Sequence, residues 1–179
     1  MNWLNSFNKE KSSIADLGRE IYRGSFVFAE EMKEYFIDPT EEERLETQMY
    51  VTFEFMYLLM HMTNRIAFEK LGDQRRIKLQ EELGILILKP MMENFVGHWP
   101  ESLKEKVLMD MYDKLNEAEI EYSKCKPTTD IAPLFTKNVT ESCGQSENDE
   151  MITQINNRFL AIFENMTLEE LVDAVEKEL

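Results

Sequence analysis

Residues Glu41–Leu71 read EEERLETQMYVTFEFMYLLMHMTNRIAFEKL and decide the fold, because helix-forming residues fill the stretch and its middle is apolar on nearly every side. A helix that is apolar all round belongs at the centre of a helical bundle or inside a membrane. Three polar residues, Glu54, His61 and Asn64, interrupt the apolar run. The run is then shorter than the about 20 apolar residues that a membrane span needs, so the stretch predicts a buried central helix.

Residues that start and stop helices mark both ends of this stretch. Asp38 can cap the first turn, Pro39 suits the first helical position, and Glu41 stands where a capping box needs an acidic residue. Gly72 follows the last helical residue as a C-terminal glycine, and Asp73 can open the next helix. Because this connection is so short, the second and third helices are predicted to be antiparallel neighbours.

Three other stretches carry apolar residues at the three-to-four-residue spacing of a single buried helix face. Together with the central helix they predict an all-α fold, an antiparallel bundle of four long helices with the second helix buried. The three stretches cover residues 13–36, 74–96 and 100–125. The inner side of the fourth helix is expected to carry Leu103, Val107, Leu108, Met111, Tyr112, Leu115, Ala118 and Ile120.

The remainder of the chain predicts a loop followed by two shorter C-terminal helices. Residues 126–149 are rich in Pro, Thr, Ser, Asn and Gly, which is typical of a flexible loop. Its apolar residues could still anchor it, through one helical turn after Pro133; they are Ile131, Leu134, Phe135 and Val139. Helical apolar spacing returns in residues 150–179. We therefore expect one all-helical domain over residues 1–179, with its core bundle at residues 11–125.

The composition narrows the classes of partner and the compartment. The net charge of −15 disfavours nucleic acid, whose binding depends on Lys and Arg, and it equally disfavours anionic membrane surfaces. Another protein is the expected partner, and self-association is left open. Two cysteines are too few for a disulfide framework, and the first residues show no basic-then-apolar signal pattern. A reducing compartment, the cytoplasm, is expected.

One face of the central helix carries a polar and aromatic stripe made of Tyr50, Glu54, Tyr57, His61 and Arg65. These positions fall on nearly the same side of a helix at about 100° per residue. Buried polar groups need hydrogen-bond partners, so one interpretation is structural: the stripe pairs with itself or with another helix. The other interpretation makes the stripe a wall of a ligand-binding pocket, since a carboxyl group and an imidazole are the parts of an acid–base pair.

The sequence predicts no catalytic residue, no metal site and no cofactor. Glu54 and His61 lie about 10.5 Å apart along a helix axis at 1.5 Å per residue, too far to chelate one ion easily. The other histidine, His98, stands beside a tryptophan in a predicted turn. Cys125 could act as a nucleophile only beside a positioned base, and neither histidine is near it in the sequence.

Two functional classes follow from these patterns. The first is a non-enzymatic interaction protein, such as an adaptor, a chaperone or a regulatory subunit; the acidic charge, the 12 methionines and the lack of catalytic spacing favour it. The alternative is a helical bundle that binds a small molecule, or an enzyme, using the stripe of Glu54 and His61. A cavity along the stripe would favour the alternative, and an exposed apolar patch would favour the interaction protein.

Overall fold

A computed structural model of the chain describes residues 13–37, 40–126, 129–165 and 168–179. Every regular element within these ranges is helical, which confirms the all-α fold. No helix in the same ranges is both long enough and apolar enough to cross a lipid bilayer. The helices are α1 (Ile14–Met32), α2 (Glu41–Leu71), α3 (Asp73–Val96), α4 (Glu101–Ser123), α5 (Ile131–Ser142), α6 (Asp149–Asn165) and α7 (Leu168–Val175).

Helix α2 lies at the centre of the bundle, as its apolar middle predicted. It packs against α1, α3, α4, α5 and α7. The side chains of Phe55 and Met56, in the middle of the helix, are almost completely buried. Removing such side chains from water is the main free-energy gain of folding, so the bundle is organised around this helix.

Short connections set neighbouring helices antiparallel. The rings of Phe28 in α1 and Phe55 in α2 stack with centroids 4.3 Å apart. Two residues later in α1, Glu30 accepts a hydrogen bond from Gln48, which lies seven residues earlier in α2. Helices α1 and α2 therefore run in opposite directions. A single residue, Gly72, joins α2 to α3, and its φ of 78° is a backbone conformation that favours glycine.

Capping boxes start the first two helices. In α1, Ser13 accepts a hydrogen bond from the backbone of Asp16 while the Asp16 carboxylate accepts one from the Ser13 backbone. In α2 the same exchange links Thr40 and Glu43. The sequence placed the second box earlier, with the cap at residues 38–39, which lie outside the described ranges. The observed box lies two residues further on and caps the same helix.

The prediction of a loop over residues 126–149 is wrong, because helix α5 lies within it. Ile131, Phe135 and Val139 recur every four residues and are almost completely buried. Pro133 is tolerated because it sits in the first turn of α5, where backbone N–H groups have no partner within the helix. The Thr, Ser and Asn residues that suggested a loop lie among these apolar anchors.

Helix α4 is less buried than its sequence suggested. Leu103 and Ile120, expected on the inner side, are 47% and 57% exposed. The buried apolar side chains are Met111 and Tyr122 instead. They are eleven residues apart and therefore lie on almost the same side of the helix at about 100° per residue. Ile120 follows Met111 by nine residues, which is about half a turn away by the same arithmetic. The helix packs on α2 and α3 along one narrow face.

Candidate functional site

Three of the five stripe residues come together on the side of α2 that meets α4. Tyr57 and His61 are buried, with 3% and 1% of their surface exposed. Glu54 is half-buried, one helical turn before Tyr57. The apolar residues on either side of them hold α2 at the centre of the bundle, so the side chains of Tyr57 and His61 cannot turn outward to water.

The other two stripe residues lie apart from this group. Tyr50 is 41% exposed, and its hydroxyl donates a hydrogen bond to Glu46 at 3.1 Å. Arg65 is half-buried, and its guanidinium donates to the backbone oxygen of Cys125 at 3.2 Å, near the end of α4. Arg65 therefore has a structural contact, while Tyr50 belongs to the surface.

Helices α4 and α5 add two residues that the sequence did not single out. Tyr122 of α4 is completely buried, and its ring stacks on the imidazole of His61 with centroids 5.5 Å apart. Asn138 of α5 lies close enough to the Glu54 carboxyl group and to the Tyr122 hydroxyl to lower the pKa of both. Asn138 fell within the predicted loop, and Tyr122 was not among the residues predicted for the inner side of the fourth helix, so only the packing brings them to this site.

His61 is tied to α4 by a carboxylate. Its Nδ1 lies 2.9 Å from Glu119 Oε2, while Asn64 donates to Glu119 Oε1 at 2.6 Å. Arg76 of α3 donates in turn to Asn64 Oδ1 at 2.9 Å. Because a carboxylate can only accept, the Nδ1 nitrogen of His61 carries the hydrogen, and in the neutral ring Nε2 keeps a lone pair.

We call Glu54, Tyr57, His61 and Tyr122 the polar cluster. Among the described residues, Glu54 Oε2, the Tyr57 hydroxyl, His61 Nε2 and the Tyr122 hydroxyl have no partner in hydrogen-bonding geometry; Asn138 lies near the Tyr122 hydroxyl and lowers its pKa without meeting that geometry. Buried polar atoms in folded proteins are nearly always paired, so four unpaired ones in a single cluster need an explanation. The stripe thus forms a hydrogen bond with another helix at His61 Nδ1. Its residues Glu54, Tyr57 and His61 do not form hydrogen bonds with one another at the unpaired atoms.

Burial raises the pKa of the Glu54 carboxyl group to about 7. Asn138 lowers that pKa by hydrogen bonding, the charge of Glu121 raises it, and Lys114 lowers it. A carboxyl group with this pKa is divided between its two protonation states at neutral pH. At pH 7 it therefore carries a negative charge for part of the time, in a site where burial disfavours that charge.

The two phenols of the polar cluster stay protonated. Burial is the main cause that raises the pKa of Tyr57, and Glu54 and Glu117 add to it. Burial, Glu54 and Glu121 raise the pKa of Tyr122 in the same way. Each hydroxyl is therefore both a donor and an acceptor at neutral pH.

Cys125 is a poor nucleophile in this setting. Burial, Asp130 and Glu121 raise the pKa of its thiol, so little of the reactive thiolate is present at neutral pH. Within the described part of the chain, no group of three or more His, Cys, Asp or Glu side chains could hold a metal ion.

A second candidate site lies at the other end of α2, where the start of α2 meets the end of α3. We call this depression of about 250 Å³ the α2–α3 groove; it is lined by Glu42, Leu45, Glu46, Met49, Phe95, Val96, His98 and Trp99. Phe95 and Val96 are buried and form an apolar floor. Leu45 and Trp99 are 47% and 41% exposed, so apolar surface faces the solvent above this floor.

The α2–α3 groove continues into a shallower depression. This second depression of about 680 Å³ shares Glu42, Leu45 and His98 with the groove and extends to Lys33 and Arg44. The sequence did not identify this surface, because Leu45 and Trp99 become neighbours only when α2 and α3 lie side by side. The available signal for this surface in the sequence was Leu45, an apolar residue within the mostly acidic segment 41–46.

Replacing Glu119 with alanine is expected to lower the free energy of unfolding by about 1–3 kcal/mol. The change removes the acceptor of His61 Nδ1 and of Asn64, and both of these side chains are buried. Urea unfolding followed by circular dichroism measures the loss. Glu105→Ala, an exposed change on the same helix, should alter stability by less than about 0.5 kcal/mol. Equal effects of both changes would contradict the role of Glu119.

The chain was compared with known proteins in three ways. Models of protein families, curated proteins and solved structures gave no match.

Proposed function

We propose that this chain is a non-enzymatic interaction protein that binds a basic amphipathic helix in the α2–α3 groove. The observation that carries the proposal is the exposure of Leu45 and Trp99 over the buried floor of Phe95 and Val96, beside acidic side chains. An adaptor or regulatory role agrees with this reading, since both depend on such a docking surface.

The apolar part of the groove suits a helix that inserts one or two large side chains. Amphipathic helices bind grooves through apolar anchors at helical spacing. Tryptophan is among the residues that contribute most to binding energy at protein interfaces, and Trp99 stands at the edge of the groove. Met49 lines the same wall, and its flexible thioether can adjust to an incoming side chain.

The charges around the groove favour a basic partner. Glu42 and Glu46 line it, and Glu41 lines the neighbouring depression. The whole chain carries a net charge of −15, which attracts cationic segments and speeds their association at low salt. Lys33 and Arg44 line the second depression but not the groove, so the basic residues of a partner should lie near Glu42 and Glu46.

The test is binding of a fluorescein-labelled peptide of about 18 residues, or five helical turns, with Leu and Trp on one face and Lys on the other. Fluorescence anisotropy should show saturable binding that weakens as salt is added. The double variant Leu45→Ser and Trp99→Ser should raise the Kd at least about ten-fold, because exposed anchors are lost without disturbing the core.

Matched controls distinguish binding in the groove from non-specific binding of the peptide. Leu160→Ser removes an equally exposed apolar side chain from α6 and should leave the Kd unchanged. A peptide with Glu in place of Lys should bind more weakly than the basic peptide. Equal loss in Leu160→Ser and in the groove variant, or failure of the basic peptide to bind, would overturn the proposal.

The cytoplasm remains the proposed compartment, since two cysteines and no disulfide framework fit a reducing environment. Self-association also remains a proposal. Size-exclusion chromatography of the chain at several concentrations tests it directly, because a dimer should dissociate on dilution.

A further inference from the structure

We propose that the polar cluster binds a small organic cation carrying an ammonium group, a function separate from docking in the α2–α3 groove. Four buried or half-buried polar atoms of the cluster have no hydrogen-bond partner among the described residues. They belong to Glu54, Tyr57, His61 and Tyr122, which α2 and α4 bring together. The argument rests on this juxtaposition of side chains that carry unused hydrogen-bonding capacity.

All four atoms can accept a hydrogen bond. In the neutral imidazole of His61, whose Nδ1 donates to Glu119, Nε2 presents a lone pair. Glu54 Oε2 accepts when its carboxyl group is ionised, and the hydroxyls of Tyr57 and Tyr122 accept as well as donate. An ammonium group has three donors and no acceptor, so it matches a cluster that is dominated by acceptors.

The local charge favours a cation over an anion. Glu117 and Glu121 of α4 act on the cluster together with Glu54 itself. Glu119 lies on the other side of the imidazole, 2.9 Å from its Nδ1. Lys114 is the cation that acts on Glu54, and it does not cancel these charges. A bound cation would compensate the Glu54 carboxylate, whereas an anion would meet several like charges.

The packing limits the size of the ligand and gives its route. Tyr57, His61 and Tyr122 are at most 3% exposed, while Glu54 is half-buried and reaches the surface. A cation would enter at Glu54, and its hydrocarbon part would have to be short.

The experiment titrates the chain with n-propylammonium chloride and follows the melting temperature and the tyrosine and histidine proton resonances. We expect a saturable rise in Tm, which n-propanol, the neutral analogue, does not give. Tetramethylammonium, which has no N–H group, should bind more weakly. Equal binding of propanol or of tetramethylammonium would overturn the proposal, because neither offers the ammonium N–H donors.

Variants then test whether the cation binds at the polar cluster. Glu54→Gln should keep the fold and weaken the affinity for n-propylammonium at least about ten-fold, since it removes the charged acceptor. Tyr122→Phe should weaken it less. Glu20→Gln is the matched control, because Glu20 in α1 also has a buried carboxyl oxygen without a partner in the described structure but lies outside the cluster. Equal affinity of wild type and Glu54→Gln, or no saturable binding up to about 10 mM, would mean that only water pairs these atoms.

Discussion

Phe135→Ala is expected to lower the free energy of unfolding by about 3–5 kcal/mol, the cost of deleting a fully buried aromatic side chain. Phe135 of α5 has no exposed surface. Its ring lies 5.5 Å from that of Phe28, 5.7 Å from that of Phe55 and 6.2 Å from that of Phe159, measured between centroids. It thus joins α1, α2 and α6 in one core, and its loss leaves a cavity that none of these helices can fill alone.

Urea unfolding monitored by far-ultraviolet circular dichroism measures this loss. Leu160→Ala is the control, because Leu160 of α6 is 56% exposed and its truncation should cost less than about 0.5 kcal/mol. A cost below about 1 kcal/mol for Phe135→Ala would mean that α5 does not pack as described. Limited proteolysis would then cut first within residues 126–149, as expected of the flexible loop that the sequence suggested.

The sequence predicted those parts of the fold that depend on local patterns. The all-round apolar character of α2 identified the central helix, and the helical spacing of apolar residues located α1. Helix α5 was missed because turn-forming residues dominate its composition and only three apolar positions mark its buried face. Those positions are buried because they contact α1 and α2, and a local sequence pattern does not show such contacts.

The residues of the candidate site could also be predicted only in part. Helical periodicity grouped Glu54, Tyr57 and His61 correctly, because all three lie on one helix. It also included Tyr50, which lies on the same side of the helix as Tyr57 and His61 but is exposed, because it stands nearer the start of α2. Tyr122 belongs to another helix, and its approach to His61 depends on how α2 and α4 pack. Spacing within one helix cannot predict that approach.

Glu54→Gln is expected to raise the stability of the chain above pH 7 by about 3 kcal/mol. Burial raises the pKa of Glu54 from 4.5 to about 7 in the folded chain. The folded state therefore binds the proton more tightly than the unfolded state does. The stabilisation by this proton is fully present below pH 4.5 and is lost as the pH rises through about 7.

This expectation reverses the one that the sequence alone supports. A stripe that satisfies itself predicts that Glu54→Gln leaves a buried group unpaired and costs about 1–3 kcal/mol. In the described structure Glu54 Oε2 has no partner, so the change removes a poorly compensated charge and breaks no hydrogen bond at that oxygen. Glutamine has nearly the same shape and does not titrate.

The measurement is the free energy of unfolding of wild type and Glu54→Gln at several pH values between 5 and 8, from urea titrations. The wild type should lose stability relative to the variant across this window, because only the wild type releases a proton from Glu54 in it. Asp16 and Asp130, whose pKa values hydrogen bonds lower, contribute equally to both chains and cancel in the difference. Glu105→Gln, an exposed change in α4, should give a curve parallel to that of the wild type. A parallel curve for Glu54→Gln as well would show that Glu54 titrates normally, and the polar cluster would then hold a hydrated carboxylate that needs no cation.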